Sequence, residues 1–257
     1  MQIILLFVGL TMSIAYREGR EERIRRLEIR LNRASWEGDY RNVRRLLRVG
    51  INPNAPDEYG KVPLANVIEG RAINSFEAKI GSKKDRSLEY VNSAGALLYD
   101  PRIDPNAFSR VKDGFYPVLT LATAQGLIDI FSMLLNHPLL DPNKKDSDGF
   151  VAMQHALTRG LTSFVDILLD DKRTDATPCI EIAVGLDDNA LLEKALSTGR
   201  ANINERDSLG WTQIMRAKSN AQTDIERTLR IYGAEFTIVD QSIAIRKREE
   251  TLTRLLR

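Results

Sequence analysis

The chain has 257 residues, with 37 basic and 35 acidic side chains, 43% hydrophobic residues and a single cysteine. This composition is ordinary for a globular protein of one large or two small domains, and it excludes a collagen-like or disulfide-stapled chain. One cysteine and two histidines are also too few for a zinc site of the usual Cys and His kind.

Residues 3–16 form an almost wholly apolar segment that Arg17 follows directly. Such a segment is typical of the hydrophobic part of a secretory signal, although no Lys or Arg precedes it. Its length gives about 21 Å of helix, short of the roughly 30 Å hydrocarbon core of a bilayer. Two other interpretations stay open: the start of a long helix that continues through Leu27 and Leu31, or translation that begins at Met12. We define residues 1–28 as an apolar and then basic N-terminal segment or capping helix.

Three short patterns recur in the same order along the chain. The first is a glycine after an acidic stretch, at Gly60, Gly114, Gly149 and Gly210. The second ends in an asparagine, at Asn54, Asn106, Asn143 and Asn204, and the third is a leucine pair, at 46–47, 97–98, 134–135 and 168–169. Apolar residues after Gly126 and Gly160 recur at spacings that predict short helices with one apolar face. Such helices are too short to be stable alone, so neighbouring pairs must stack into a continuous core.

This order of patterns resembles the ankyrin repeat, a unit of about 33 residues made of a turn and two antiparallel helices. The best copies run from Gly114 to Asn143 and from Gly149 to Asp175. The resemblance implies an all-α, ankyrin-like solenoid of five to six helix-turn-helix repeats over residues 29–236, with capping helices at both ends. The repeats are expected at 29–57, 58–110, 111–146, 147–173, 174–205 and 206–236.

The copies depart from the family pattern at several places. Gln154 and Met215 stand where the family has its histidine, and Asp175 replaces the turn glycine of the fifth repeat. The second repeat is too long, and we assign its excess, about residues 71–87, to a polar and basic insertion between the two helices. Because this insertion offers little area to bury, we expect it to be dispensable for folding.

The C-terminal residues 237–257 are expected to form a basic amphipathic capping helix. Apolar residues from Ile243 to Leu256 can share one side of it, with Arg246, Lys247, Arg248 and Arg254 on the other. A helix of this kind could instead bind a membrane surface. We favour the cap, because the end of the stack would otherwise expose its core.

The resemblance also assigns partner-binding residues. In ankyrin repeats the residue after the turn glycine varies and faces the partner, which here implies Lys61, Phe115, Phe150 and Trp211. Trp36 matches a second variable position, and Tyr59 lies in the same turn as Lys61. Basic residues of adjacent turns are expected to form a polar rim and to favour an acidic partner; they are Lys112, Lys144, Lys145 and Arg206. The alternative is that the aromatic residues staple neighbouring turns together.

The sequence contains no glycine-rich phosphate loop, paired-histidine metal motif or nucleophile elbow. Cys179 stands where the resemblance places an apolar residue of a first helix, so we interpret it as a buried side chain. We predict a non-catalytic module that binds another protein on the concave ankyrin surface, with no catalytic residue, metal, cofactor or small-molecule substrate. The alternatives are an enzyme with a site in the cleft or insertion, and a nucleic-acid or membrane-surface binder that uses the basic ends or residues 3–16.

The biological setting is indicated by one segment only. Residues 137–143, His-Pro-Leu-Leu-Asp-Pro-Asn, are similar to repeats common in intracellular bacteria and protists. This similarity favours a host-directed effector by fold-level analogy. We expect a cytoplasmic protein, with export, membrane attachment through the N-terminal segment, or delivery to a host cell as the alternatives.

Overall fold

The computed structural model of the chain describes residues 2–111, 114–207, 209–237, 240 and 242. Within these residues the chain forms twelve helices and a single two-stranded sheet. The elements in chain order are α1 (Gln2–Trp36), α2 (Tyr40–Arg48), α3 (Pro63–Lys79), α4 (Ser87–Leu98), β1 (Phe108–Val111), β2 (Gly114–Pro117), α5 (Val118–Ala124), α6 (Ile128–Leu135), α7 (Ala152–Thr158), α8 (Thr162–Asp170), α9 (Thr177–Leu186), α10 (Asn189–Ser197), α11 (Gln213–Ser219) and α12 (Thr223–Ile231).

The helices form six consecutive pairs, as the repeat pattern predicts, and the expected all-α fold is confirmed. The chain divides into two compact units, residues 1–152 and 153–257. In the first unit α1, α3 and α5 pack side by side, and α2, α4 and α6 form a second layer. In the second unit α9 packs on α11 and α10 packs on α12. The predicted leucine pairs lie in these cores, where Leu97, Leu134 and Leu168 are fully buried.

The turn between the two helices of a repeat reverses the chain through a left-handed residue. Gly126 and Gly160 adopt φ values of +67° and +66°, as expected for glycine in a left-handed cap. The last two repeats use Asp187 and Ala221 instead, both with a φ of +57°. An L-residue in this region has a higher energy than glycine, so these two turns store backbone strain.

The insertion of the second repeat is more helical than the sequence indicates. Residues 71–79 continue α3, and only residues 80–86 form the connection to α4. The side chain of Asn74 is 4% exposed, donates to the carbonyl oxygen of Lys84 at 3.1 Å and accepts from the N–H of Arg86 at 2.9 Å. Because this amide binds the connection to the helix, the segment is an ordered extension rather than the polar loop expected.

The N-terminal segment lies within α1, which continues without a break into the first repeat. This path agrees with a long helix through Leu27 and Leu31, and Leu31 is fully buried. None of the helices in the described part of the chain is both long and apolar enough to cross a membrane. Most of the C-terminal segment expected as a capping helix, residues 237–257, lies outside the described residues.

Candidate functional site

The predicted partner-binding residues are held by turns that share one construction. In the turn before α7, the carboxylate of Asp146 accepts from the N–H groups of Asp148 and Phe150, both at 2.9 Å. The N–H of Asp146 donates in return to the carbonyl oxygen of Phe150 at 2.8 Å. The same bonds join Asp57 to Tyr59 and Lys61, and Asp207 to Leu209 and Trp211. Each aspartate therefore fixes the residue that follows its turn glycine.

The four residues that follow a turn glycine differ in exposure. Phe115 and Phe150 are exposed, whereas Lys61 and Trp211 are half-buried. The exposure of the two phenylalanines agrees with a role in binding, although that role stays a prediction for all four positions.

Three predicted residues of the first unit meet at one cavity. It has a volume of about 530 Å³ and lies between α1 and the turn that precedes α3. Trp36 lines it from α1, and Tyr59 and Lys61 line it from the turn. The ammonium group of Lys61 is 5.9 Å from the centre of the Trp36 ring, within the range of a cation–π contact. We call this cavity the aromatic cleft.

The wall of the aromatic cleft also contains residues that the sequence analysis missed. Arg25, Ile29 and Arg33 of α1 line it together with Trp36. Their spacing of four residues places them on one side of the helix, which is the signal by which they could have been found. Ile29 is exposed, so it extends the apolar surface that the two aromatic rings begin.

The floor of the aromatic cleft is a buried network of amides and a carboxylate. The Asn66 side-chain amide donates to Asn32 Oδ1 at 2.9 Å and to Asp57 Oδ2 at 3.0 Å. The Asn32 amide donates to the carbonyl oxygen of Ala55 at 2.9 Å. These bonds connect α1, the turn and α3 beneath the cleft.

The backbone of Trp36 is fixed from two sides. The hydroxyl group of Tyr90 donates to the Trp36 carbonyl oxygen at 3.1 Å. At Gly70 a side-chain carbon would collide with both this carbonyl oxygen and the Tyr90 ring. Glycine at position 70 therefore lets α3 approach the end of α1 closely, and this approach positions the indole.

Charge is balanced around the aromatic cleft. Lys61 forms an ion pair with Glu69 at 2.6 Å, and both side chains are largely buried. Arg25 and Arg33 line the cleft together with the acidic residues Glu28, Asp57 and Glu58. Arg33 also forms an ion pair with Glu37 at 2.9 Å. A hydrogen bond with Glu58 raises the pKa of the Tyr59 phenol above its ordinary value.

A second group of predicted residues lies on or beside the hairpin of β1 and β2. The predicted residue Phe115 and its neighbour Phe108, which the sequence analysis did not name, are both exposed. The ammonium group of Lys144 is 5.3 Å from the centre of the Phe108 ring. Backbone hydrogen bonds connect the hairpin to both neighbouring turns. The N–H of Arg110 donates to the carbonyl oxygen of Gly60 at 3.2 Å, and the N–H of Ser147 donates to the carbonyl oxygen of Phe115 at 2.9 Å. Lys145 is exposed, and Lys112 lies outside the described residues.

The second unit contains the remaining two predicted residues, Trp211 and Arg206. Arg206 donates to the carbonyl oxygen of Gly210 at 2.8 Å and to Asp240 Oδ1 at 2.6 Å, and Asp240 is buried. Arg206 therefore connects its turn to the chain that follows α12, which is a structural role in addition to the predicted one.

The residues considered for catalysis have structural contacts. Cys179 is fully buried, as expected, and burial raises the pKa of its thiol to about 12. In the insertion, Glu77 pairs with Lys83 at 3.0 Å, and Asp85 accepts from the N–H of Ser87 at 2.9 Å. Among the side chains that the structure describes, no group of three or more His, Cys, Asp or Glu residues could hold a metal ion.

Of three comparisons with known proteins, the one with solved structures agrees with this architecture. No family model matches the sequence, and no curated protein matches it. Among solved structures, the chain is similar to the ankyrin repeat domain of Bcl-3, a member of the IkappaB protein family, with 20% identity, a TM-score of 0.54, and coverage of 80% of this chain and 86% of that one. An ankyrin repeat domain from Acinetobacter baumannii AYE has 22% identity, a TM-score of 0.57, and coverage of 81% and 100%. The ankyrin repeat protein EF0377 has 23% identity, a TM-score of 0.56, and coverage of 80% and 97%. The chain therefore has the ankyrin-repeat fold.

Proposed function

We propose that the chain is a non-catalytic module that binds another protein through its turns and first helices. The observation that carries this proposal is the convergence of Trp36, Tyr59 and Lys61 on the aromatic cleft. Tyrosine and tryptophan are the residues that dominate binding energy at protein interfaces, especially beside a pocket. A partner would insert an apolar side chain between the Trp36 and Tyr59 rings and bury their exposed faces.

The rigidity of the cleft supports the same proposal. Binding is weakened by the entropy lost when mobile side chains are ordered, and this loss is small where the surface is already fixed. The Asn32, Asn66 and Asp57 network fixes the floor, and the aspartate bonds fix the turn. The cleft thus presents its two rings in a geometry that needs little rearrangement.

The preference for an acidic partner rests on residues outside the cleft. Since the charges around the cleft balance, the cations that favour acidic groups are Lys144 and Lys145 beside the hairpin. Phe115 and Phe150 are exposed in the same unit, so we propose that the contact surface extends from the cleft across these turns. Trp211 is proposed as a contact of the second unit.

Affinity capture with matched variants tests this proposal. The intact chain and the variants Trp36→Ala and Tyr59→Ala are used to capture proteins from source or host cells, and mass spectrometry identifies what is bound. Tyr99→Ala is the control, because Tyr99 is 90% exposed in the same unit but lies away from the aromatic cleft. The same protein should be captured by the intact chain and by Tyr99→Ala but not by the cleft variants, and circular dichroism should show that each variant keeps the helical signal of the intact chain. Equal capture by all four chains would refute the proposal.

The setting is a separate proposal. We propose a cytoplasmic protein, and the alternative is a host-directed effector that is delivered to another cell, for which residues 137–143 are the only support. A translocation reporter fused to the intact chain tests this. Retention of the reporter in the producing cell would argue against delivery to a host without affecting the proposed binding surface.

A further inference from the structure

The C-terminal half of α3 has an exposed apolar face that the ankyrin pattern does not account for. Ile73, Phe76 and Ile80 are 45%, 65% and 62% exposed. Their spacing of three and four residues places them on one side of the helix and of its final turn. We call these three residues the insertion face. Apolar side chains clustered in this way on a surface mark a site of interaction.

The insertion face is held in a fixed position. Asn74, on the buried side of the same helix, binds both the carbonyl oxygen of Lys84 and the N–H of Arg86. The N–H of Ser82 donates to the carbonyl oxygen of Glu77 at 2.9 Å, which closes the turn at the end of the helix. A ligand would meet an ordered surface and would not have to fold a loop.

A small cavity adjoins the insertion face. Its volume is about 290 Å³, and Ile73 lines it together with the ring of Tyr90. Lys83, Lys84 and Arg86 line the same cavity together with two acidic residues, Glu37 and Glu77. A space of this kind fits one apolar side chain, and the excess of cations over carboxylates in its lining favours a side chain whose neighbours carry negative charge.

The charge of the surrounding segment selects the partner. Residues 79–86 contain four cationic side chains and one acidic side chain. Lys79, Lys83 and Lys84 are all exposed, and because Lys83 pairs with Glu77, the positive potential toward solvent comes mainly from Lys79 and Lys84. Charge of one sign on a docking surface attracts partners of the opposite sign and repels those of the same sign.

We propose that the insertion face is a second docking surface, which binds an acidic, amphipathic segment of another protein. Such a segment would place apolar side chains on Phe76, Ile80 and the cavity beside Ile73, and carboxylates against the lysines. A second copy of this chain fits poorly, because a two-fold contact would bring the same cations together. A bilayer also fits poorly, since a flat surface cannot fill the cavity beside Ile73.

Selection from random peptides tests the proposal with the intact chain. A phage-displayed library of peptides about 15 residues long, enough for about four helical turns, is selected on the chain. The selected peptides are then measured on a Phe76→Ser, Ile80→Ser variant, whose changes are at exposed positions and should leave the fold intact. The selected peptides should be acidic, with apolar residues spaced by three or four. Their Kd should rise about ten-fold or more in this variant and in Lys79→Glu, Lys84→Glu, and stay unchanged in Tyr99→Ser.

The outcome does not depend on the aromatic cleft. The Tyr59→Ala variant should bind the selected peptides like the unmodified chain, which separates this surface from the first one. Three results would overturn the proposal: no enrichment of acidic peptides, peptides whose binding ignores Phe76 and Ile80, or a function of these residues elsewhere. Such another function would be membrane binding or self-association of a chain that binds no peptide. It would be seen as binding to vesicles of phosphatidylcholine and phosphatidylserine, or as a dimer in ultracentrifugation. In either case the Phe76→Ser, Ile80→Ser variant would lose the binding or the dimer.

Discussion

The side chain of Asn106 joins its own turn to the next repeat by two hydrogen bonds. Its Oδ1 accepts from the N–H of Asp141 at 2.7 Å, and its Nδ2 donates to the carbonyl oxygen of Leu139 at 2.7 Å. Asn54 forms the same pair with Asp104 and Arg102, and Asn204 accepts from the N–H of Glu235. Three of the four recurrent asparagines, Asn54, Asn106 and Asn204, therefore connect adjacent repeats.

Replacing this asparagine should weaken the stack. Asn106→Ala removes both hydrogen bonds and leaves the two backbone groups of the next turn without their partner, so we expect a loss of about 1 to 2 kcal/mol in the free energy of unfolding. Urea denaturation measures it. Asn92→Ala, at an exposed position of α4, is the control and should change stability by less than about 0.5 kcal/mol. If Asn106→Ala lowers the free energy of unfolding no more than the control does, hydrogen bonds to water replace those of Asn106 without a loss of stability.

The left-handed turns predict a pair of opposite effects. Gly160→Ala should destabilise the chain by about 1 kcal/mol from the backbone alone, because a side-chain carbon there would meet no atom within 4 Å. Ala221→Gly should relieve the strain at a φ of +57°. Its net gain is about 0.5 to 1 kcal/mol after the entropy of the unfolded chain is included. Thermal melting of both variants checks the signs, and a destabilised Ala221→Gly chain would show that the strain is already compensated.

The response to acid should depend on Asp207. Burial raises the pKa of this carboxyl group, but hydrogen bonds from the Trp211 N–H, the Arg216 guanidinium and the Leu209 N–H lower it further, so its pKa lies below the ordinary value of 3.8. A carboxylate with a lowered pKa contributes stability above the unfolded value and loses it as the pH falls through the folded value. The contribution should therefore be complete above about pH 4 and disappear below it.

The variant Asp207→Asn isolates this contribution. At pH 7 it should be about 1 kcal/mol less stable than the unmodified chain, because the charge-assisted bond with the partly exposed Arg216 is lost. At about pH 2 the two chains should have nearly equal stability. The control is Asp224→Asn, which removes an exposed ion pair between Asp224 and Arg227 on α12. It should change stability by less than about 0.5 kcal/mol at both pH values. A difference for Asp207→Asn that is independent of pH would assign the effect to the turn rather than to charge.

The sequence predicted the architecture better than the surfaces. The spacing of Gly126, Gly160 and the leucine pairs is local, so it identified the helix pairs and their left-handed turns. Asp187 and Ala221 adopt the same conformation without glycine, and only the packing of the flanking helices imposes it. The spacing of Arg25 and Ile29 places them on one side of α1, but the turn that completes the cleft beside them is distant in sequence, so their part in the site was missed. The extension of α3 was missed because its polar composition suggested a loop.

The insertion illustrates this difference and gives a further prediction. Its composition suggested that it could be removed freely, but Asn74 is buried and Arg71 lies 3.5 Å from Asp129 with its side chain 13% exposed. Joining residues 70 and 88 with a short flexible linker should therefore lower the free energy of unfolding by more than about 1 kcal/mol, the scale of an ordinary single substitution. Urea denaturation of the shortened chain measures this loss. An unchanged midpoint would show that the insertion is dispensable for folding.

Site-specific photocrosslinking tests the proposed function most directly. The crosslinking residue p-benzoylphenylalanine is placed at position 59 of the intact chain, beside the aromatic cleft, and in a second chain at position 99, which is exposed but outside it. Irradiation in cells should attach one protein covalently at position 59 and not at position 99. The same protein attached equally at both positions, or attached at position 99 alone, would contradict recognition through the aromatic cleft.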